Sequence, residues 1–257
     1  MIAVQAATST AARPNQRFER KFFISPMNIA PAYMLMRQVC RPDVEYPEDQ
    51  VNSLYFDTVD LDQFERSNSG DFRRDKIRIR WYGETGSYRE TKPAFLELKS
   101  RQGFASSKKR VGLMVSAQQL ELSNLSKGII AETLLMKILA GFGFYPHRPL
   151  RPIIVISYWR YRFIEMMTGT RVSLDYKIRS SMVARDMGYG EHDLRLQGGV
   201  IEIKGNSVEL PDLLKNIKIL GADWSRLSKY ASCVAAHLSG PSDTSRLLPS
   251  GITNVNY

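Results

Sequence analysis

Arginine, lysine and glutamate recur at every second position in seven separate stretches of this chain. Arg17, Glu19 and Lys21 alternate in the first. Lys76, Arg78, Arg80 and Tyr82 alternate with Ile77, Ile79 and Trp81. Glu97, Lys99 and Arg101 alternate with Leu96 and Leu98, and Lys108 and Arg110 share one parity. Tyr158, Arg160 and Arg162 alternate with Trp159, Tyr161 and Phe163. Arg171, Ser173 and Asp175 do so with Val172 and Leu174, and Glu202 and Lys204 with Ile201 and Ile203. A strand sends alternate side chains to opposite faces, so each stretch predicts one charged and one apolar face. The chemistry of the charged face is recognition of phosphate oxygens: guanidinium forks grip them in pairs and ammonium groups add compact charge.

For any one stretch an ordinary explanation suffices, a half-buried sheet whose polar face meets water. Across seven it does not. A solvated face mixes Thr, Ser and Gln with its charges, whereas this one is nearly all Arg and Lys with a few Glu. Like charges side by side destabilise a sheet, and a bound polyanion would neutralise the crowding. Glu19, Glu97 and Glu202 either pair with their basic neighbours or hold Mg²⁺ or Mn²⁺, whose usual ligands at phosphate sites are carboxylates. Glu202 is the first choice for the metal.

Seven stretches of this kind must come from a strand-rich fold. Strands are predicted over 17–24, 50–58, 76–83, 95–101, 108–113, 151–165, 170–180, 182–186 and 198–205. Helices are predicted over 26–39, near 60–66, over 130–141 and near 211–220 and 225–238, with Ser116 capping a short one. About eight strands joined by hairpins make a mainly antiparallel α+β fold, and so many can close into a barrel. The expected architecture is a closed eight-stranded tunnel, charged inside and apolar outside, with helices on the outer face.

Such a tunnel suits a linear chain of phosphates better than a duplex. A nucleic-acid face should offer stacking aromatics, yet Trp81, Trp159, Tyr161 and Phe163 fall on the apolar side and only Tyr82 and Tyr158 on the basic one. The formal net charge of +10 points to polyanions without choosing among them. No phosphate-binding GxxxxGK[ST] loop and no GxGxxG follows a strand. His147, His192 and His237 are scattered, as structural or exposed histidines are. Cys40 and Cys233 lie apart in apolar stretches, which argues against a disulfide framework or zinc site and for a reducing, cytoplasmic setting. No apolar run approaches the roughly 18 residues that span a membrane. Residues 1–16 and 239–257 read as flexible tails around one domain at 17–238.

Nine motifs, RFERK, SLYFDT, KIRIRWYG, FLELKSR, KKRV, the Arg160 strand, TRVSLD, VIEIKG and SKY, together resemble the VTC domain of polyphosphate polymerases, in the triphosphate tunnel metalloenzyme group related to CYTH domains. The resemblance covers about 15–238. It implies an eight-stranded antiparallel tunnel that binds a triphosphate and a divalent metal, Mn²⁺ or Mg²⁺, and moves the terminal phosphate of ATP onto polyphosphate. It implies that Lys21, Arg78, Arg80, Lys99 and Arg160 act on the reacting phosphates. Lys108 and Lys229 are further phosphate contacts, joined by Arg110, Arg171 and Lys204, with Glu202, Glu19 and Glu97 as metal candidates. Lys229, in a helix, owes its role to the resemblance alone. One departure concerns the ExExK signature of CYTH members, whose first Glu is here Arg17. The regulatory SPX domain and membrane segment of the eukaryotic polymerase have no counterpart in these 257 residues. A membrane partner stays open, as do two alternatives to the polymerase: a triphosphatase and a non-catalytic polyphosphate or nucleotide binder.

Overall fold

A computed structural model of the chain describes residues 3–4, 18–83, 91–103, 105–187, 193–207, 209–224 and 228–239. Eight long strands dominate: β1 (Phe18–Ile24), β2 (Glu48–Asp57), β3 (Arg73–Tyr82), β4 (Thr91–Gln102), β5 (Ala105–Ser116), β6 (Arg151–Glu165), β7 (Arg171–Met182) and β8 (Gly199–Gly205). They form one antiparallel sheet in the order β5-β4-β3-β2-β6-β7-β8-β1. Arg17 and His192 lie outside the described residues.

The sheet is open, which corrects the expected closed tunnel. Among the described residues no ladder joins β1 to β5. The outer edge of β5 is taken by the two-residue strand Ala3–Val4, and that of β1 by Asp223–Trp224. The sheet is nevertheless strongly curled, as twisted antiparallel strands tend to be. Lys99 on β4 reaches Glu19 on β1 at 3.0 Å, although five strands separate β4 from β1 in the sheet order. The result is a deep trough. The strand expected at 182–186 is also corrected: Met182 ends β7 and the chain turns at once, Val183 and Ala184 both donating to the Ile153 carbonyl.

The convex face is apolar, as the alternation requires. Ile77, Ile79, Leu96 and Leu113 pack under Leu135 and Leu139 of helix α3 (Glu132–Gly141). Phe22, Leu174 and Ile201 pack under Ala32 and Met36 of α1 (Ile29–Val39) and under the 3₁₀ helix Asp212–Leu220. The predicted cap at Ser116 is present, with Gln119 completing a capping box. Helix α2 (Asp62–Ser69) ends at Gly70, whose φ of 77° suits a residue without Cβ.

Helix α4 (Lys229–Leu238) departs from the expectation that helices cover only the outer face. It lies in the trough: Tyr230 stacks on Tyr55 with ring centroids 4.8 Å apart, and Ala231, Cys233 and Val234 pack on Ile154, Ile156, Ile178 and Val200. A β-bulge makes this arrangement work. On β7, Lys177 and Ile178 together oppose Tyr158, because the ladder steps from Arg179–Ser157 to Tyr176–Trp159. Lys177 takes the left-handed conformation, φ 49°. The extra residue shifts the phase of the strand. Arg171, Ser173 and Asp175 face the trough before it; Ile178, Ser180 and Met182 face the trough after it. Without the bulge, the strand could not offer carboxylate to the charged half and apolar surface to α4 from the same face.

Candidate functional site

The charged half of the trough is organised around four carboxylates, three of them buried and the fourth, Glu19, more exposed, each shared by two cations. Glu97 on β4 is 1% exposed and accepts from Arg78 Nε at 2.9 Å and Nη2 at 2.7 Å, while the Lys108 ammonium holds its second oxygen. Burial alone would raise its carboxyl; Arg78, Arg80 and Lys108 overcome that and hold it at about 2. Arg78 also donates to the Tyr55 hydroxyl at 3.1 Å. Arg80 donates to Ser53 and Tyr158 hydroxyls, each at 3.2 Å.

Asp175 on β7 is wholly buried. Arg160 grips it with Nε at 2.5 Å and Nη2 at 2.8 Å, and Lys229 reaches it at 2.5 Å from the N-terminus of α4. Against the cost of burial, Arg160 and Lys229 keep this carboxyl well below the ordinary range. The same Arg160 Nη2 donates to Glu202 at 3.1 Å, whose other oxygen is 3.2 Å from Lys204. Glu19 meets its β1 neighbour Lys21 at 3.5 Å and Lys99, across the trough, at 3.0 Å. Tyr158 lies beneath Arg160 and Lys229, their cationic centres 5.3 and 4.9 Å from its ring. Burial would raise its hydroxyl; Arg160 and Arg80 bring it down to about 8.

Nine cations (Lys21, Lys76, Arg78, Arg80, Lys99, Lys108, Arg160, Lys204 and Lys229) thus face four carboxylates (Glu19, Glu97, Asp175 and Glu202), an excess of five positive charges. The lysines register the excess. Burial, with repulsion from Lys99, Lys229 and Lys204 outweighing the help of Glu19, pushes Lys21 down to about 7. Burial, then Lys21, Lys99 and Arg78, depress Lys76 well below the usual ammonium range; its Nζ donates to Ser228 Oγ at 2.7 Å. Lys99, Lys108 and Lys204 are lowered too, burial leading in each case. A polyanion entering this trough would favour the charged form of each.

The alternation places Lys21, Arg78, Arg80, Lys99, Lys108, Arg160, Lys204, Glu19, Glu97 and Glu202 in this one cluster, and helix α4 brings Lys229 to it. Arg110 and Arg171 share its face but stand at the margin. Arg110 is exposed, lying over the Phe95 ring at 4.8 Å, and Arg171 is exposed beside Lys204 in the β7–β8 ladder. Asp175 and Lys76 are the residues given no role from sequence, although both carry the parity of their charged neighbours. The expectation that only Tyr82 and Tyr158 are aromatics of the basic face is corrected as well. Tyr55 and Phe95 share it, opposite Arg78 and Arg80 in the ladders.

For a divalent metal, the donor chemistry fits a particular arrangement. Among the described residues no group of three or more His, Cys, Asp or Glu stands together. A cage made wholly of protein is therefore absent from them. Mg²⁺ commonly takes one or two carboxylates and finds its other ligands among waters and phosphate oxygens. Glu202, 6% exposed and beside Asp175 on the shared Arg160, suits that mode.

The model of the VTC domain family matches residues 16–238. Two solved structures are similar in fold. One is a candidate adenylate cyclase from Bacillus halodurans, 18% identical, with 82% of this chain and 92% of that one covered and a TM-score of 0.46. The other is a candidate adenylate cyclase from Vibrio parahaemolyticus, 11% identical, with 86% and 98% covered and a TM-score of 0.42. A search of curated proteins gives no match. No helix among the described residues is long and apolar enough to cross a membrane.

Proposed function

This chain belongs to the VTC domain family, and we propose that its trough transfers the terminal phosphate of ATP onto a polyphosphate chain. The observation that carries the reading is nine cations gathered on one concave face against only four carboxylates, a formal excess of five positive charges. A triphosphate of about four negative charges satisfies that excess, and a helix packed into one half of the trough leaves a groove rather than a flat face for it.

Phosphoryl transfer asks the protein for alignment and charge stabilisation more than for covalent chemistry. In this reading Arg78, Arg80, Arg160 and Lys229 hold the triphosphate along the groove, with Lys76 beside Arg78 on β3, Lys99 opposite Lys76 in the ladder on β4, and Lys21 on β1. An end oxygen of the acceptor chain attacks the terminal phosphorus, a new P–O bond forms, and the bond to the departing nucleoside diphosphate breaks. The nucleophile comes from the acceptor, so no side chain has to supply one. The guanidinium groups, already fixed by Glu97 and Asp175, need no reorganisation as negative charge moves between oxygens. Glu202 would hold a divalent metal, with Glu19 and Glu97 as further candidates, and the ion would supply Lewis-acid neutralisation of phosphate oxygens.

The test is incubation with ATP and Mn²⁺, with products resolved on a polyphosphate gel. Lengthening chains support the polymerase. Free phosphate alone makes the protein a hydrolase, and neither product makes it a binder.

A further inference from the structure

One end of the trough holds a cluster that the phosphate-handling residues leave unused. Phe95 is half-buried on β4, one step beyond Glu97 on the same face and opposite Arg80 in the ladder. The Arg110 guanidinium lies over its ring at 4.8 Å. The Tyr82 ring stands edge-on to it, centroids 6.4 Å apart, and carries the Arg162 guanidinium at 5.9 Å. Tyr82 ends β3, and Arg162 donates to the Tyr46 carbonyl just before β2 begins, so the four residues meet at the end of the trough away from α4. Among the described residues neither Arg110 nor Arg162 is in an ion pair. In the middle of the trough, by contrast, Arg78 and Arg160 are locked to carboxylates.

We infer that this cluster is a stacking platform for the nucleobase of the phosphate donor, one that reads the area of the base and not its identity. The inference rests on the phosphotransferase reading and specifies its donor. A guanidinium set over an aromatic ring can offer its own planar face to a second flat π-system, which a lysine ammonium cannot. Bases of every kind have such a face, so stacking gives affinity without selecting among them. A pyrimidine covers less of the platform than a purine. The donor is therefore a nucleoside triphosphate, with ATP and GTP accepted nearly alike and CTP less well. Arg110 acts here through its plane and not as a phosphate contact.

Binding of ATP, GTP, CTP and tripolyphosphate is to be measured by calorimetry for the unaltered protein, Arg110→Lys and Phe95→Leu. Arg110→Lys keeps the charge and loses the plane; Phe95→Leu keeps apolar bulk and loses the ring. Each should weaken ATP and GTP about tenfold and CTP about threefold, within the energy of one stacked base. Tripolyphosphate, having no base, should change less than about twofold on the same reasoning. Equal weakening of ATP and tripolyphosphate by Arg110→Lys would return Arg110 to the phosphates and overturn the inference. So would no change in either variant, or a clear separation of ATP from GTP. If the unaltered protein binds tripolyphosphate but gains nothing from a base, only the platform falls. If it binds none of the four, the phosphotransferase reading falls with it.

Discussion

The trough of this protein has two halves that solve the same problem in opposite ways. Around α4 the concave face is apolar, and it is filled by the protein's own helix: Tyr230 on Tyr55, Val234 and Cys233 over Ile154, Ile156 and Ile178. The few polar groups there are satisfied internally. Asp57 accepts from three backbone N–H groups and from the Tyr230 hydroxyl at 2.6 Å, and Ser180 meets His237 at 3.1 Å. Around Arg160 the same face is charged, and its internal pairing stops short, leaving lysines whose ammonium groups are depressed by burial and by one another. A half that closes on itself contributes to stability. A half left with excess charge gives up stability, which under the proposed function serves ligand binding. Lys229, the first residue of α4, joins the two.

The largest effect that sharpens this contrast concerns Glu202. Glu202→Gln keeps the shape and removes the anion, so tripolyphosphate should still bind while turnover falls by a factor of about 10²–10³. Titrating ATP turnover against Mn²⁺ for both proteins checks it. An unchanged midpoint and maximal rate would remove Glu202 from the mechanism and pass the role to Glu19 or Glu97.

Asp175→Asn should destabilise the free protein by about 3 kcal/mol, since Arg160 and Lys229 lose a wholly buried anion. Saturating tripolyphosphate should recover more of that loss than it adds to the unaltered protein, because the ligand takes the place of the missing carboxylate. Denaturant unfolding with and without ligand measures both. Equal ligand stabilisation in the two proteins would mean that Asp175 does not face the binding groove.

Tyr230→Phe addresses the self-contained half. It strips Asp57 of its hydroxyl partner and should cost about 1–3 kcal/mol of stability. Tripolyphosphate affinity should hardly move. A large loss of affinity at unchanged stability would show that the halves are not separate.

The smallest effect is on pH. Lys21 sits at about 7 in the free protein, and a bound polyanion would raise it. Between those two values the complex holds more protons than its components, so binding takes up protons and affinity falls as pH rises through 7. For folding the same shift has the opposite sense. Lys21 is below its unfolded value of about 10.4, so its contribution becomes less favourable as pH falls from there towards 7. Calorimetry at pH 8 in buffers of differing ionisation enthalpy should show proton uptake; proton release would contradict it.

Period-two alternation was enough to assign β3 and β4, because their charged and apolar faces run without interruption from Lys76 to Tyr82 and from Phe95 to Lys99. It also located β6 and the hairpin to β7. It could not see past Tyr176. The bulge at Lys177 reverses the parity of everything after it, and nothing in the residue types announces a left-handed lysine. The place of α4 was equally hidden. An amphipathic helix shows which of its faces is apolar but not whether its partner is the convex or the concave side of a curled sheet. Closure failed for a related reason: the short strands Ala3–Val4 and Asp223–Trp224 that occupy the two edges are too brief to carry a pattern. Asp175 and Lys76 are legible by parity, yet parity does not tell that Asp175 is wholly buried between Arg160 and Lys229.

The central claim is that the charged half of the trough is a polyphosphate site, and a melting experiment tests it most directly. Tripolyphosphate and duplex DNA are compared at equal total charge. A ligand bound only by the native state at a hundredfold excess over Kd adds about 2.7 kcal/mol. The account predicts a clear rise in Tm with tripolyphosphate and a smaller one with DNA. Stabilisation by DNA that equals or exceeds that by tripolyphosphate would contradict it.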